Sequence, residues 1–382
     1  MSNIIPSRIT EARESRALSM QDLADNIGVT RQAISKYERG IINPSSDVLQ
    51  SISLYLEFPI DFFYKNEEVC TAKRSPLFFR SKTGIAKKDK TACKYQIKWV
   101  DELRKFLSSY VDFIDKDITT IDVNYEDLSK SDIEDLALTV RKNWGLGDDP
   151  IGDLIGILEN KGIIVAQFSN NNFCNFKNID AFSAWEDGIP YIMYNSIQKS
   201  AVRTRFSILH ELGHLIMHSS ISNEDSIKKD VIDLADNQAD LFASSFLLPC
   251  TSFPNDIHGS SLLSLEVVKR KWGVAISTII RRCNTLNILS ENQINYLNRQ
   301  MTAKQYWRKE PLDDILFMDG PEMLRDAVLL LINNSIITRD YFINSSALSI
   351  NDLKSICMLP DEFFNGLYVR QKPILKLMPS TK

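Results

Sequence analysis

The sequence predicts a multidomain, mainly α fold: an N-terminal all-α bundle of helix-turn-helix form, an α+β domain with a small sheet, and a helical C-terminal region. Three observations carry this. Apolar residues recur at helical spacing along most of the 382 residues. Strand-like patterns are confined to "GIIVAQFS", which Gly162 opens, and "DAFSAWEDGIPYIMYN". Three of the four histidines, His210, His214 and His218, crowd into one apolar stretch, "RFSILHELGHLIMHSS".

Residues 7–64 read as short helices. Ser19 is a natural N-cap for "MQDLADNI", Gly28 its C-terminal stop, and Thr30 opens a further helix that ends at Gly40. Leu23, Ala24, Ile27, Val29 and Ile34 are spaced to pack these two helices together, and Val48, Leu49, Ile52, Leu54 and Leu56 close the bundle. Thr30, Arg31, Gln32 and Ser35 then lie at the exposed start of the second helix. Those residue types hydrogen-bond base edges or phosphates in a major groove. Gln21 and Arg39 are placed to reach the DNA backbone, which positions without specifying. The pattern resembles the Xre/Cro-like repressors, and the resemblance implies binding of double-stranded DNA, with a homodimer as the arrangement suited to a two-fold site.

The stretch 72–98 carries nine Lys or Arg against one Asp, a net of +8. It reads as a basic linker leading into a helix over 95–114; its charge is read as a solvated helix face ahead of a phosphate-binding one. Helices are expected over 131–143 and 150–160, then the strands, with a turn at Asp187-Gly188. After the histidine helix comes a second one that Pro249 ends. Segments 260–300 and 320–365 read as mostly helical, and 310–382 carries no chemical motif. The expected domains are 1–66, 67–128, 129–258 and 259–382.

Composition bounds the function classes. Hydrophobic content of 44% and charged content of 25% are those of an ordinary globular protein, and a net charge of −4 selects no partner. The six cysteines are dispersed without a CxxC pair, which predicts reduced thiols and no cysteine metal site. The charged opening "MSNIIPSRITEARESR" lacks a signal peptide's apolar core, and no apolar run nears the roughly 20 residues that span a bilayer. A cytoplasmic protein without membrane contact is expected.

His210-Glu211-Leu212-Gly213-His214 fits H-E-x-x-H, which on a helix puts both imidazoles on one face within reach of one ion. Zn2+ suits two imidazoles and a carboxylate with a fourth position left for water. Glu211 is placed as the base that takes a proton during attack on a carbonyl. Asp236 and Asp240, at i and i+4 on the following helix, are read as the third ligand and as the carboxylate that orients a ligand imidazole. His218 reads as an orienting or helix-end residue rather than a ligand. Gly213 permits a close approach by another segment.

"RTRFSILHELGHLIMH" followed by "ADNQADLFASSFLLP" resembles the ImmA/IrrE family of zinc metallopeptidases, and the likeness extends over roughly 130–300. It implies a zincin-like metallopeptidase domain that cleaves a repressor or antitoxin protein by attack of zinc-bound water. The family has a glutamate where this chain has Asp236, so the second helix must come closer for the shorter side chain to ligate. In related zincins a strand beside the motif helix holds substrate in extended form, and 190–195 is the expected counterpart. The alternative is a transcription factor whose metal site is structural or sensory.

Overall fold

The computed structural model describes residues 3–66, 77–81, 85–118, 120–121, 124–168, 173, 176–195, 200–221 and 229–365. Lys73, Arg74 and Lys82 of the basic stretch, and Cys70 and Cys174, lie outside them. The other four cysteines are free thiols.

Helices α1 (Pro6–Ser15), α2 (Met20–Ile27), α3 (Arg31–Glu38) and α4 (Ser46–Leu56) form the N-terminal bundle. Their ends follow from local chemistry. The Ser19 hydroxyl accepts from the Asp22 N–H while Asp22 caps Ser19 in return, and Thr30 and Ser45 cap α3 and α4. Gly28, at φ +73, ends α2 in the left-handed region where a side chain is strained.

Strand β1 (Phe78–Ser81) precedes α5 (Lys87–Ser108), which starts and ends earlier than the helix expected over 95–114. Lys87, Lys88 and Lys90 are good helix formers, and Asp89 sits in the first turn beside the positive end of the dipole, so the helix can begin there. Then come α6 (Lys130–Asn143), α7 (Leu154–Glu159), β2 (Ile164–Gln167), β3 (Ile179–Glu186) and β4 (Ile189–Tyr194). The motif helix α8 (Ala201–Met217) and α9 (Lys229–Leu247) follow. The chain continues through α10 (Leu262–Trp272), α11 (Ile276–Thr285), α12 (Glu291–Ala303), α13 (Met323–Asn333), α14 (Arg339–Ser346), α15 (Ile350–Ile356) and α16 (Asp361–Phe364). The mainly α architecture with one small sheet is the expected one.

The sheet order is β1-β3-β4-β2, with β2 parallel to β4 and the other pairs antiparallel. Asp187 (φ 48) and Gly188 (φ 75) make the expected two-residue turn between β3 and β4, whose twist suits a hairpin. β4 is paired on both sides, so 190–195 has no edge to offer a substrate strand, contrary to expectation. Its parallel partner β2 pairs with it at a separation of 27 residues, a pairing that local pattern does not reveal.

Alternating side chains of the sheet feed two apolar cores. On one face Ile164, Ala166, Phe182 and Met193 join the N-terminal helices, α5 and the C-terminal helices α13 to α16. On the other, Val165, Ala181, Ile192 and Tyr194 join α6 to α12. The C-terminal helices therefore return to the N-terminal bundle. Buried Arg16 marks that junction: its guanidinium donates to both Asp352 oxygens at 3.2 and 2.9 Å and to the Leu56 carbonyl at 3.0 Å.

Candidate functional site

Helix α8 is buried along nearly its whole length between the sheet and α9. It packs tightly on α9 at Gly213, where a Cβ would lie 3.2 Å from Ala239 Cα. A close approach is what the sequence reading of Asp236 as a ligand expects. Its Oδ1 lies 3.4 Å from His214 Nε2 and 3.9 Å from His210 Nε2, and the two Nε2 atoms are 3.0 Å apart. His210, His214 and Asp236 thus form a group able to hold a metal ion.

The hydrogen bonds set which nitrogens carry protons. The Tyr125 carbonyl can only accept, so the Gln238 amide nitrogen faces it at 2.7 Å, and Gln238 Oε1 accepts from His218 Nε2 at 2.9 Å. Burial pushes His218 down to about 4, so it is neutral near pH 7 and its Nδ1 is an acceptor. That nitrogen takes the Nδ1 proton of His214 across 3.0 Å. His210 Nδ1 donates to Asp240 Oδ1 at 2.8 Å. In neutral imidazoles both Nε2 atoms are then acceptors, and they converge with a carboxylate oxygen. Three electron-rich atoms at this spacing fit a cation: tetrahedral zinc with bonds of about 2.0–2.2 Å sets its ligands roughly 3.3–3.6 Å apart. The Asp236 side chain is 44% exposed, so the group opens to solvent on that side.

Glu211 is buried beside it on the sheet side, where Ser183 Oγ of β3 donates to Oε2 at 2.7 Å. Asp240 is held in turn by Arg281 Nη1 of α11 at 3.3 Å. Phe78 of β1 stacks on the His214 ring, with centroids 4.5 Å apart and planes at 9°. Ser183, Gln238, Tyr125, Phe78 and Arg281 take part without having been singled out for it in the sequence, because each arrives from a different element. Only Gln238, two residues after Asp236, had a local signal.

In the N-terminal bundle, Thr30, Arg31 and Gln32 are exposed at the start of α3, where Thr30 Oγ1 accepts from the Ala33 N–H at 3.2 Å. Half-buried Ser35 and exposed Arg39 continue the Arg31 face at i+4 steps, and Arg39 Nε donates to the Ser35 carbonyl. Gln21 is exposed on α2 and its amide donates to Asp25. Gln21 thus lies on α2 and the other five lie along α3 from its N-cap to its C-cap, far in sequence from the metal-binding group.

A capped helix-turn-helix is thus joined in one chain to a domain in which a buried H-E-x-x-H helix lies beside a small sheet. Residues 9–63 match the helix-turn-helix family, and residues 173–284 match the IrrE N-terminal-like domain of the M78 peptidases. An uncharacterized HTH-type transcriptional regulator of Sinorhizobium medicae is 36% identical over 62 residues, 16% of this chain and 45% of the relative. The uncharacterized HTH-type transcriptional regulator YqaE of Bacillus subtilis is 31% identical over 84 residues, 21% of this chain and 72% of the relative. The prophage-derived regulator YonR of Bacillus subtilis is 38% identical over 58 residues, 15% of this chain and 54% of the relative. The chain spans about half the length of the first of these. It belongs to the helix-turn-helix regulators and carries an IrrE N-terminal-like domain. No helix among the described residues is long and apolar enough to cross a membrane.

Proposed function

We propose that this chain is a DNA-binding regulator whose peptidase-like domain is a zinc-dependent endopeptidase acting on a protein such as a repressor or antitoxin. The observation that carries the reading is the convergence of three acceptor atoms of His210, His214 and Asp236 next to a buried Glu211. Those three residues would hold the ion. The chemistry that zinc supplies when bound is that of a Lewis acid, which polarises a carbonyl and acidifies water. Glu211, oriented by Ser183, takes the proton of the attacking water and passes it to the leaving amine. Asp240 and the His218–Gln238 pair fix the two imidazoles in their ligating orientation. Thr30, Arg31, Gln32 and Ser35 read bases, Gln21 and Arg39 hold the phosphate backbone, and the protein pairs on a two-fold site.

The test is to incubate the zinc-loaded protein with the products of its neighbouring genes, with Glu211→Gln as control. Cleavage by the intact protein and none by a variant that retains its metal is expected. No cleavage of any candidate, with zinc confirmed, refutes the reading. A second reading, a transcription factor with a sensory metal site, is favoured by the Phe78 ring lying on His214. There, Glu211→Gln leaves operator control intact.

A further inference from the structure

The edge of the sheet nearest Glu211 is already taken by the chain itself. β3 is flanked by β4 inside the sheet and by β1 outside it. The register sets Phe78 directly opposite Ser183, the residue whose hydroxyl holds Glu211. Neighbouring strands lie about 4.7–4.9 Å apart, so the backbone at Phe78 runs beside the H-E-x-x-H group. Alternation then separates the two aromatics. Phe78 points to α8 and covers His214, with His218 also near its ring at 5.9 Å. Phe79 points to the other core, against Phe182 at 5.7 Å and under Lys90 Nζ at 5.5 Å. Leu77 is buried.

We infer that β1 is a resident occupant of the peptide-binding edge, an internal strand that a substrate must displace, and that the edge selects an aromatic side chain opposite Ser183. The inference rests on the peptidase reading of the site. An extended peptide paired with β3 would use the same backbone groups that β1 uses, so the two exclude each other. A strand of four residues that ends in a register shift at Arg80/Ser81 is a short pairing, suited to exchange. Tethering raises its local concentration to the millimolar range, which accounts for occupancy by so short a segment.

The probe is a fluorescein-labelled peptide with the sequence of residues 75–82, and anisotropy reports its binding to the full chain. The unaltered protein binds it weakly, and Phe78→Ala binds it at least tenfold more tightly. A peptide with alanine in place of its first phenylalanine loses that gain. Equal binding by the two proteins overturns the inference. Hydrogen exchange on the unaltered protein gives a test that needs no variant: the amides within residues 179–183 that face β1 are protected without any peptide, and their exchange at the rate of an open edge overturns the proposal. Binding is read without turnover, so failure of the peptidase reading shows separately, as binding without cleavage by any zinc-loaded form. Hydrolysis of the chain itself between residues 77 and 81 would make β1 a substrate and also overturn it.

Discussion

Replacing Gly213 by alanine tests the proposal that Asp236 ligates the metal in place of a longer side chain. The new Cβ would lie 3.2 Å from Ala239 Cα, 3.3 Å from Phe242 Cδ1 and 3.4 Å from Ala239 Cβ. Carbon atoms prefer about 3.5–4.0 Å, so α9 must retreat by a few tenths of an ångström. Alanine favours the helix by about 1 kcal/mol, while overpacking costs about 1–3 kcal/mol. The net loss of stability is therefore small, up to about 2 kcal/mol on those two ranges. The metal group suffers more, because Asp236 and Asp240 both ride on α9 next to Ala239. Its 3.4 and 3.9 Å spacings lengthen together with the 2.8 Å bond from His210 to Asp240. Such sites tolerate displacements of only about 0.5 Å, and disturbed supporting contacts cost roughly 10–100-fold in metal affinity. Gly213→Ala should lose at least about tenfold in zinc affinity, measured by competition with a chromophoric chelator, with a parallel melt of the metal-free protein. Asp236→Glu, longer by one methylene, should recover most of it in the Gly213→Ala background. Unchanged zinc affinity, or no recovery, refutes the reasoning.

Other outcomes follow from the same contacts. Arg16→Ala leaves Asp352 buried without its guanidinium and should cost about 3–5 kcal/mol in denaturant unfolding, while Arg16→Met with Asp352→Leu recovers most of it. Glu159 is buried, accepts the N–H groups of Glu322 and Met323, and its carboxyl is pushed by burial from 4.5 up to about 7. The folded state then holds more protons than the unfolded one between those values, so this contribution is full below pH 4.5 and is lost as pH rises through about 7. Melts across that window should show the slope, and Glu159→Gln should remove it. Arg31→Ala should weaken operator binding by about 1–3 kcal/mol and relax specificity, whereas Arg39→Ala should weaken all sequences alike and lower the salt slope by about 1. Anisotropy titrations across salt concentrations distinguish the two.

Much of this was legible in the sequence because it is local. The caps at Ser19, Gly28 and Thr30, the Asp187-Gly188 turn and the i,i+4 pair His210 and His214 depend only on neighbours along the chain. What was not legible depends on which elements meet. Asp236 and Asp240 could be placed on one helix face, but only packing at Gly213 tells that the helix comes close enough for an aspartate. β1 is too short, and too rich in charge around it, to read as a strand, and its register against Ser183 is a long-range fact. The apolar pattern of 323–364 announced helices without saying that they return to Arg16 and the N-terminal bundle. The His214–His218–Gln238–Tyr125 relay crosses three segments, so His218 could be given a supporting part but not its partner.

The most direct test of the central claim is the zinc content and ligand set of the purified protein. One equivalent per chain is predicted, abolished by His210→Ala or His214→Ala, weakened by Asp236→Ala and retained in Glu211→Gln. X-ray absorption should then show two imidazoles and oxygen ligands, one of them from solvent. A fourth protein ligand, or binding indifferent to these substitutions, would contradict the account.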